Sequence, residues 1–89
     1  MSNEPCSEIP EFVCRTIQRE DRSPIVAWRC FRNISLGELV HISGYSIIDI
    51  LNIHKQRTCP DDEILTRFSK IFNISNDLLR ESYKLWRKK

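Results

Sequence analysis

The side chains best able to bind metal or move protons are His41, His54, Cys6, Cys14, Cys30, Cys59 and the run Asp61-Asp62-Glu63. Their spacing points away from both kinds of chemistry. A zinc site needs converging ligands, and these cysteines form no C-x-x-C and have no paired histidines beside them. There is no nucleophile–base pair, glycine-rich phosphate loop or H-E-x-x-H, so no enzyme, catalytic residue, metal or cofactor is expected. Asp61 to Glu63 suit a helix N-terminus, where acids meet the positive end of the dipole. His41 and His54 read as surface or hydrogen-bonded histidines. The cysteines read as reduced thiols, with Cys14 and Cys30 partly buried.

What remains is binding chemistry, and it gathers in one stretch. Five of the eight residues from Ser46 to Ile53 are isoleucine or leucine, and Asn52 is the amide among them. Lys55, Gln56 and Arg57 follow as a polar, basic loop suited to phosphate or simply to solvent. Three accounts of Ile47, Ile48 and Leu51 stay open: DNA-facing apolar readers, a protein-binding or dimer surface, or core. The first two require these side chains to be exposed together, since a contiguous apolar patch marks an interaction site. Tyr83 and Trp86 lie among Lys84, Arg87 and Lys88, but their helical spacing with Leu78, Leu79 and Leu85 favours packing or dimerisation.

The elements that position these groups are helices. With two glycines and four prolines in 89 residues, the composition favours an all-α fold over a turn-rich β design. A formal charge of +2 is too small to imply nucleic acid by itself. No apolar run reaches the ~18 residues of a membrane span, and "MSNEPCSEIPEF" lacks signal-peptide order, so a cytoplasmic protein without a membrane partner is expected. Residues 1–8 read as a disordered N-terminus, and 9–89 as a single domain of five to six short helices.

The first helix should begin near Pro10 and bury Ile9, Phe12, Val13 and Ile17. The second starts at Ser23-Pro24, with Ile25, Trp28 and Phe31 or Cys30 as its apolar face. Ser35 with Glu38 three residues on has capping-box spacing, opening a third helix that carries Leu36, Leu39, Val40 and Ile42. Gly44 supplies the left-handed residue for a sharp turn, and Ser46 caps the fourth helix. Ile64, Leu65, Phe68, Ile71 and Phe72 define the fifth, and a helix capped near Ser75 is the last.

A helix, a short turn centred on glycine and a second helix form the helix-turn-helix layout, here residues 35–54. From Ser23 to Ser75 the chain resembles the lambda-repressor/Cro type of helix-turn-helix regulator, the XRE family. The resemblance rests on Trp28, Arg29, Arg32, Ile34, Ser35, Glu38, Leu39, Gly44, Ser46, Ile50, Ile53, Pro60, Leu65, Phe72 and Ile74. The upstream "PIVAWR" is similar to the start of small stand-alone members, which often act as antitoxins or autorepressors beside toxin genes.

The resemblance implies a lambda-repressor-like helical bundle that binds double-stranded DNA as a repressor, probing the major groove with the 46–53 helix. Base-facing positions would be Ser46, Ile47, Ile48, Leu51 and Asn52; phosphate contacts would come from Ser35, Lys55, Gln56 and Arg57. Ile50 and Ile53 would point into the core. A homodimer on an A·T-rich operator is implied, joined through the Asp77–Lys88 helix or the N-terminal helix, because one such module buries too little to bind specifically alone. The alternative is a protein-interaction module, an antitoxin or regulator gripping a toxin or other protein through Ile47, Ile48 and Leu51.

Departures from the family pattern are specific. Leu36 stands where a glutamine is usual, Gln56 where a glycine is usual, and Gly37 weakens a helix. His54 replaces the glutamate that pairs with the arginine matching Arg29. Another acid, Asp49 or one of Asp61, Asp62 and Glu63, is expected to take its place, and His54 is expected to be neutral.

Overall fold

The computed structural model describes residues 9–87. The expected disordered segment 1–8 lies outside the described residues. Six helices follow in order: α1 (Glu11–Gln18), α2 (Pro24–Phe31), α3 (Leu36–Ser43), α4 (Ile47–Lys55), α5 (Asp62–Phe72) and α6 (Asn76–Arg87). There is no strand among the described residues, so the fold is all-α, as the composition implied. No helix among them is long and apolar enough to cross a membrane.

Local chemistry sets the boundaries. From α2 onward every helix opens on a serine or aspartate whose side chain accepts a backbone N–H three residues later. Ser23 accepts from Val26, Ser35 from Glu38, Ser46 from Asp49, Asp61 from Ile64 and Ser75 from Leu78. At Ser35 the box is reciprocal, with Glu38 Oε1 accepting the Ser35 N–H at 2.9 Å. Left-handed residues end three of the turns: Asn33 (φ 61°), Gly44 (φ 80°) and Asn73 (φ 60°). Gln56 closes α4 in an extended conformation, φ −75°, and so needs no glycine.

α2 is the centre of the packing. It touches α1, α4, α5 and α6, so Ile25, Ala27 and Trp28 are all sealed from solvent. A buried indole must place its N–H, and Trp28 Nε1 donates to Ser82 Oγ on α6 at 3.0 Å. The Ser82 hydroxyl in turn donates to the Leu78 carbonyl at 2.9 Å, so the chain of donors is satisfied. Phe68 and Phe72 of α5 stack with centroids 6.1 Å apart, while Leu39 of α3 and Ile50 and Ile53 of α4 complete the core.

Two apolar expectations fail. Phe12 is 46 % exposed, because Thr16 occupies the inward flank of α1 with its hydroxyl bonded to the Phe12 carbonyl at 2.8 Å. The Phe12 ring instead leans on Phe31, itself at the rim, with centroids 6.2 Å apart. Cys30 is exposed rather than partly buried, since Pro24, Ile25, Ala27 and Trp28 already take the inward faces of α2. The apolar stripe of α6, by contrast, packs within the chain as its spacing allowed: Leu79, Tyr83 and Trp86 are buried.

The two glycines should respond to alanine with opposite signs. Gly44→Ala meets no atom within 4 Å yet must hold φ 80°, so a loss of about 1–2 kcal/mol is expected. Gly37→Ala, in helical backbone with only Ser35 Oγ at 4.0 Å, should gain about 0.5 kcal/mol. Urea unfolding of both variants checks the pair.

Candidate nucleic-acid interface

The helix-turn-helix unit comprises α3, the Gly44–Ser46 turn and α4. The turn is bolted down from two sides. The Gly44 N–H donates to the Val40 carbonyl at 3.2 Å and the Tyr45 N–H to Ser43 Oγ at 3.2 Å. From α5, Arg67 Nη1 donates to the Ser43 carbonyl at 3.0 Å while its guanidinium lies 5.1 Å from the Tyr45 ring centroid. Tyr45 packs on Phe68, so the angle between α3 and α4 is set by side chains of a third helix.

With that angle fixed, α4 divides sharply. Ile50 and Ile53 face the core at 0 % and 7 % exposure, whereas Ile47, Ile48 and Leu51 stand at 48 %, 66 % and 42 %. The account that placed these three in the core is therefore excluded. Ile42 of α3, 54 % exposed, extends the apolar surface. Ser46 caps the helix at the start of this face, and Asn52 and Lys55 are exposed further along it. Asn52 also lines a groove of about 280 Å³ with Tyr45, Asp49, Ile53, Gln56 and Ile64. The rim mixes charges: Glu38, Asp49 and Glu63 against Lys55, Arg67 and Lys70.

The expected phosphate contacts separate into two groups. Ser35 and Lys55 are exposed, as is Gln56. Arg57 is differently engaged. Its Nη2 donates to both carboxylate oxygens of Asp21 at 3.0 and 3.1 Å, and its guanidinium lies 4.3 Å from the Trp86 ring centroid. Trp86 Nε1 donates to the same carboxylate at 3.0 Å, and Asp21 accepts all of this from a left-handed backbone, φ 57°. Arg57 thus fastens the loop after α4 to the α1–α2 turn and to α6. Arg57→Ala should cost on the order of 1–2 kcal/mol, and Arg57→Lys should recover only part of it because a lysine cannot stack its fork on the indole. Thermal unfolding followed by tryptophan fluorescence reports both.

No carboxylate takes over at Arg29. Among the described residues Arg29 forms no ion pair; Nη1 donates to the Ile34 carbonyl at 3.1 Å and Nε is buried without a partner. The expected substitutes are placed elsewhere: Asp61 caps α5, Asp62 pairs with Arg80 at 3.1 Å, and Asp49 and Glu63 are exposed. The group facing Arg29 is His54, whose Nε2 is also buried and unpartnered. Burial, and then the Arg29 charge, lowers its pKa from 6.5 to about 4, so the ring is neutral.

The sign of the linkage follows. Because the folded state resists protonating His54, its contribution is intact above pH 6.5 and is lost as pH falls towards 4. The stability difference between the parent chain and His54→Gln should therefore narrow over that interval and stay level above it. His54→Glu, which returns a carboxylate to Arg29, should exceed His54→Gln at neutral pH by on the order of 1 kcal/mol. Urea titrations at stepped pH measure both.

No family model, curated protein or solved structure matches this chain significantly. The residues that sequence reasoning missed are Asp21, Arg67 and Trp86 as anchors, and Ile42 as part of the exposed surface. Asp21 sits in a helix-breaking "EDRS" with no local sign of a partner 36 positions away.

Proposed function

We propose that this chain is a helix-turn-helix, lambda-repressor-like regulator that binds double-stranded DNA by laying α4 in the major groove. The supporting observation is the outward ridge of α4, where Ile47, Ile48, Leu51, Asn52 and Lys55 are exposed on a helix held by the capped Gly44–Ser46 turn. A single projecting helix matches the roughly 12 Å width of the major groove. Ser35, Lys55 and Gln56 flank the ridge where backbone phosphates would run, and Arg57 acts indirectly by holding the loop that carries Gln56. Repression would be steric, by a cytoplasmic homodimer occluding a promoter, with no catalytic step.

A second reading has one observation in its favour. Ile42 carries the apolar surface from α4 onto α3, and the surrounding charges nearly cancel. A protein partner, such as a toxin, would be gripped by the same isoleucines.

Gel-shift titration of operator-length duplex across a salt series separates the two. DNA binding should lose affinity with salt at a log–log slope of about −2 to −4 per module, reflecting the few cations near the ridge. Alanine at Asn52 and Lys55 should weaken binding without changing stability. Salt-independent or absent binding sinks the DNA reading and leaves the protein one.

A further inference from the structure

We infer that Cys59 is a peroxide-sensitive thiol whose oxidised form, a sulfenic acid, is held against α6 by the Tyr83 hydroxyl. The inference is independent of the DNA reading above. It begins with the segment that leaves α4, which runs along one face of α6. Arg80, Tyr83 and Trp86 recur there at one-turn spacing. Arg57 meets Trp86 at one end, its guanidinium 4.3 Å from the ring centroid and its Nη1 donating to the Trp86 carbonyl at 3.4 Å. Asp62 meets Arg80 at the other end, at 3.1 Å. Cys59 lies between these two contacts, half-buried and packed on the core. The α6 residue between the same two contacts is Tyr83, and a charge at Cys59 acts on it.

Tyr83 supplies the second half of the site. It is 1 % exposed, and its hydroxyl is buried with no hydrogen-bond partner among the described residues. A buried hydroxyl left unsatisfied destabilises the fold, and it calls for an acceptor. Burial, and then the charge at Cys59, hold the phenol above its usual range, so it keeps its proton and remains a donor. Thiol sulfur accepts hydrogen bonds weakly; an oxygen added to it accepts them well. In the reaction, the Cys59 thiolate sulfur attacks one oxygen of hydrogen peroxide and the O–O bond breaks. Hydroxide leaves and takes up the thiol's proton as water. Sulfur gives up two electrons to the peroxide, and the oxygen it retains accepts the Tyr83 O–H. Arg80 is already paired with Asp62 and Asp77, so it favours the thiolate little. Selectivity therefore comes from keeping the product, not from a fast attack.

The test exposes the full chain to a pulse of hydrogen peroxide, traps sulfenic acids with dimedone at timed intervals and maps them by mass spectrometry. Exposure alone favours Cys30, which lies on the surface. Persistence should favour Cys59: its sulfenic form should outlast that of Cys30 by about fivefold, the effect of one net hydrogen bond. Tyr83→Phe removes only the unsatisfied hydroxyl, so the reduced variant should melt no lower than the parent. Its Cys59 sulfenic form should decay about fivefold faster than the parent's. No labelling at Cys59 in the parent, or decay there as fast as at Cys30, overturns the inference whether or not the variant folds. Unchanged decay at Cys59 in a folded Tyr83→Phe overturns it as well.

Discussion

The structure depends on the burial of one short helix. α2 is eight residues long and meets four other helices, so four of its residues are buried and only Cys30 and Phe31 are exposed. That demand explains its composition, with proline, isoleucine, alanine and tryptophan inward and Arg29 at the border. It also explains why Trp28 carries a hydrogen-bond partner from α6. An indole N–H buried at this junction without one would cost about 1–3 kcal/mol, a large share of what a domain of this size has in hand. The same crowding leaves Arg29 with one carbonyl and a neutral imidazole where a carboxylate would be the simpler answer.

Around that centre, the outward ridge of α4 is placed by residues that never reach it. Arg67 and Tyr45 fix its entry, and Arg57, Asp21 and Trp86 fix the loop that leaves it. Other arginines are spent in local pairs, such as Arg15 with Glu11 and Arg80 with Asp62. The rim is near-neutral because acids stand among its cations, Arg67 included. Under the proposed function, such a surface would draw its affinity from fit and apolar contact more than from long-range attraction.

Much of the architecture was legible because its signals are local. Each Ser or Asp cap and the Gly44 turn depend on residues three or four apart, while the inward direction of Ile50 and Ile53 was implied by the resemblance. The phase left the exposure of Ile47, Ile48 and Leu51 open, and the inward packing of Ile50 and Ile53 decided it. What escaped was decided between segments. Phe12 satisfies the periodicity of α1 as well as Thr16 does, and only the packed neighbours choose between them. Arg57 looks like a phosphate ligand until Asp21 and Trp86 are brought to it, and nothing in either neighbourhood encodes that meeting. The acid expected at Arg29 failed for a related reason: Asp61 and Asp62 were already committed to α5 and α6.

The two ties to α6 have a bearing on how the chain acquires its form. Trp28 reaches across 54 positions to Ser82, and Asp21 across 65 to Trp86. Contacts of such separation close late, since they carry the largest loop entropy. During synthesis the first five helices must therefore wait for the sixth, with the Trp28 indole unsatisfied and Arg57 lacking its indole partner. The loop behind α4 tightens only once Trp86 of α6 has docked. In this small domain the placement of the exposed ridge is thus tied to the docking of α6, although the ridge itself is encoded far from it in the chain.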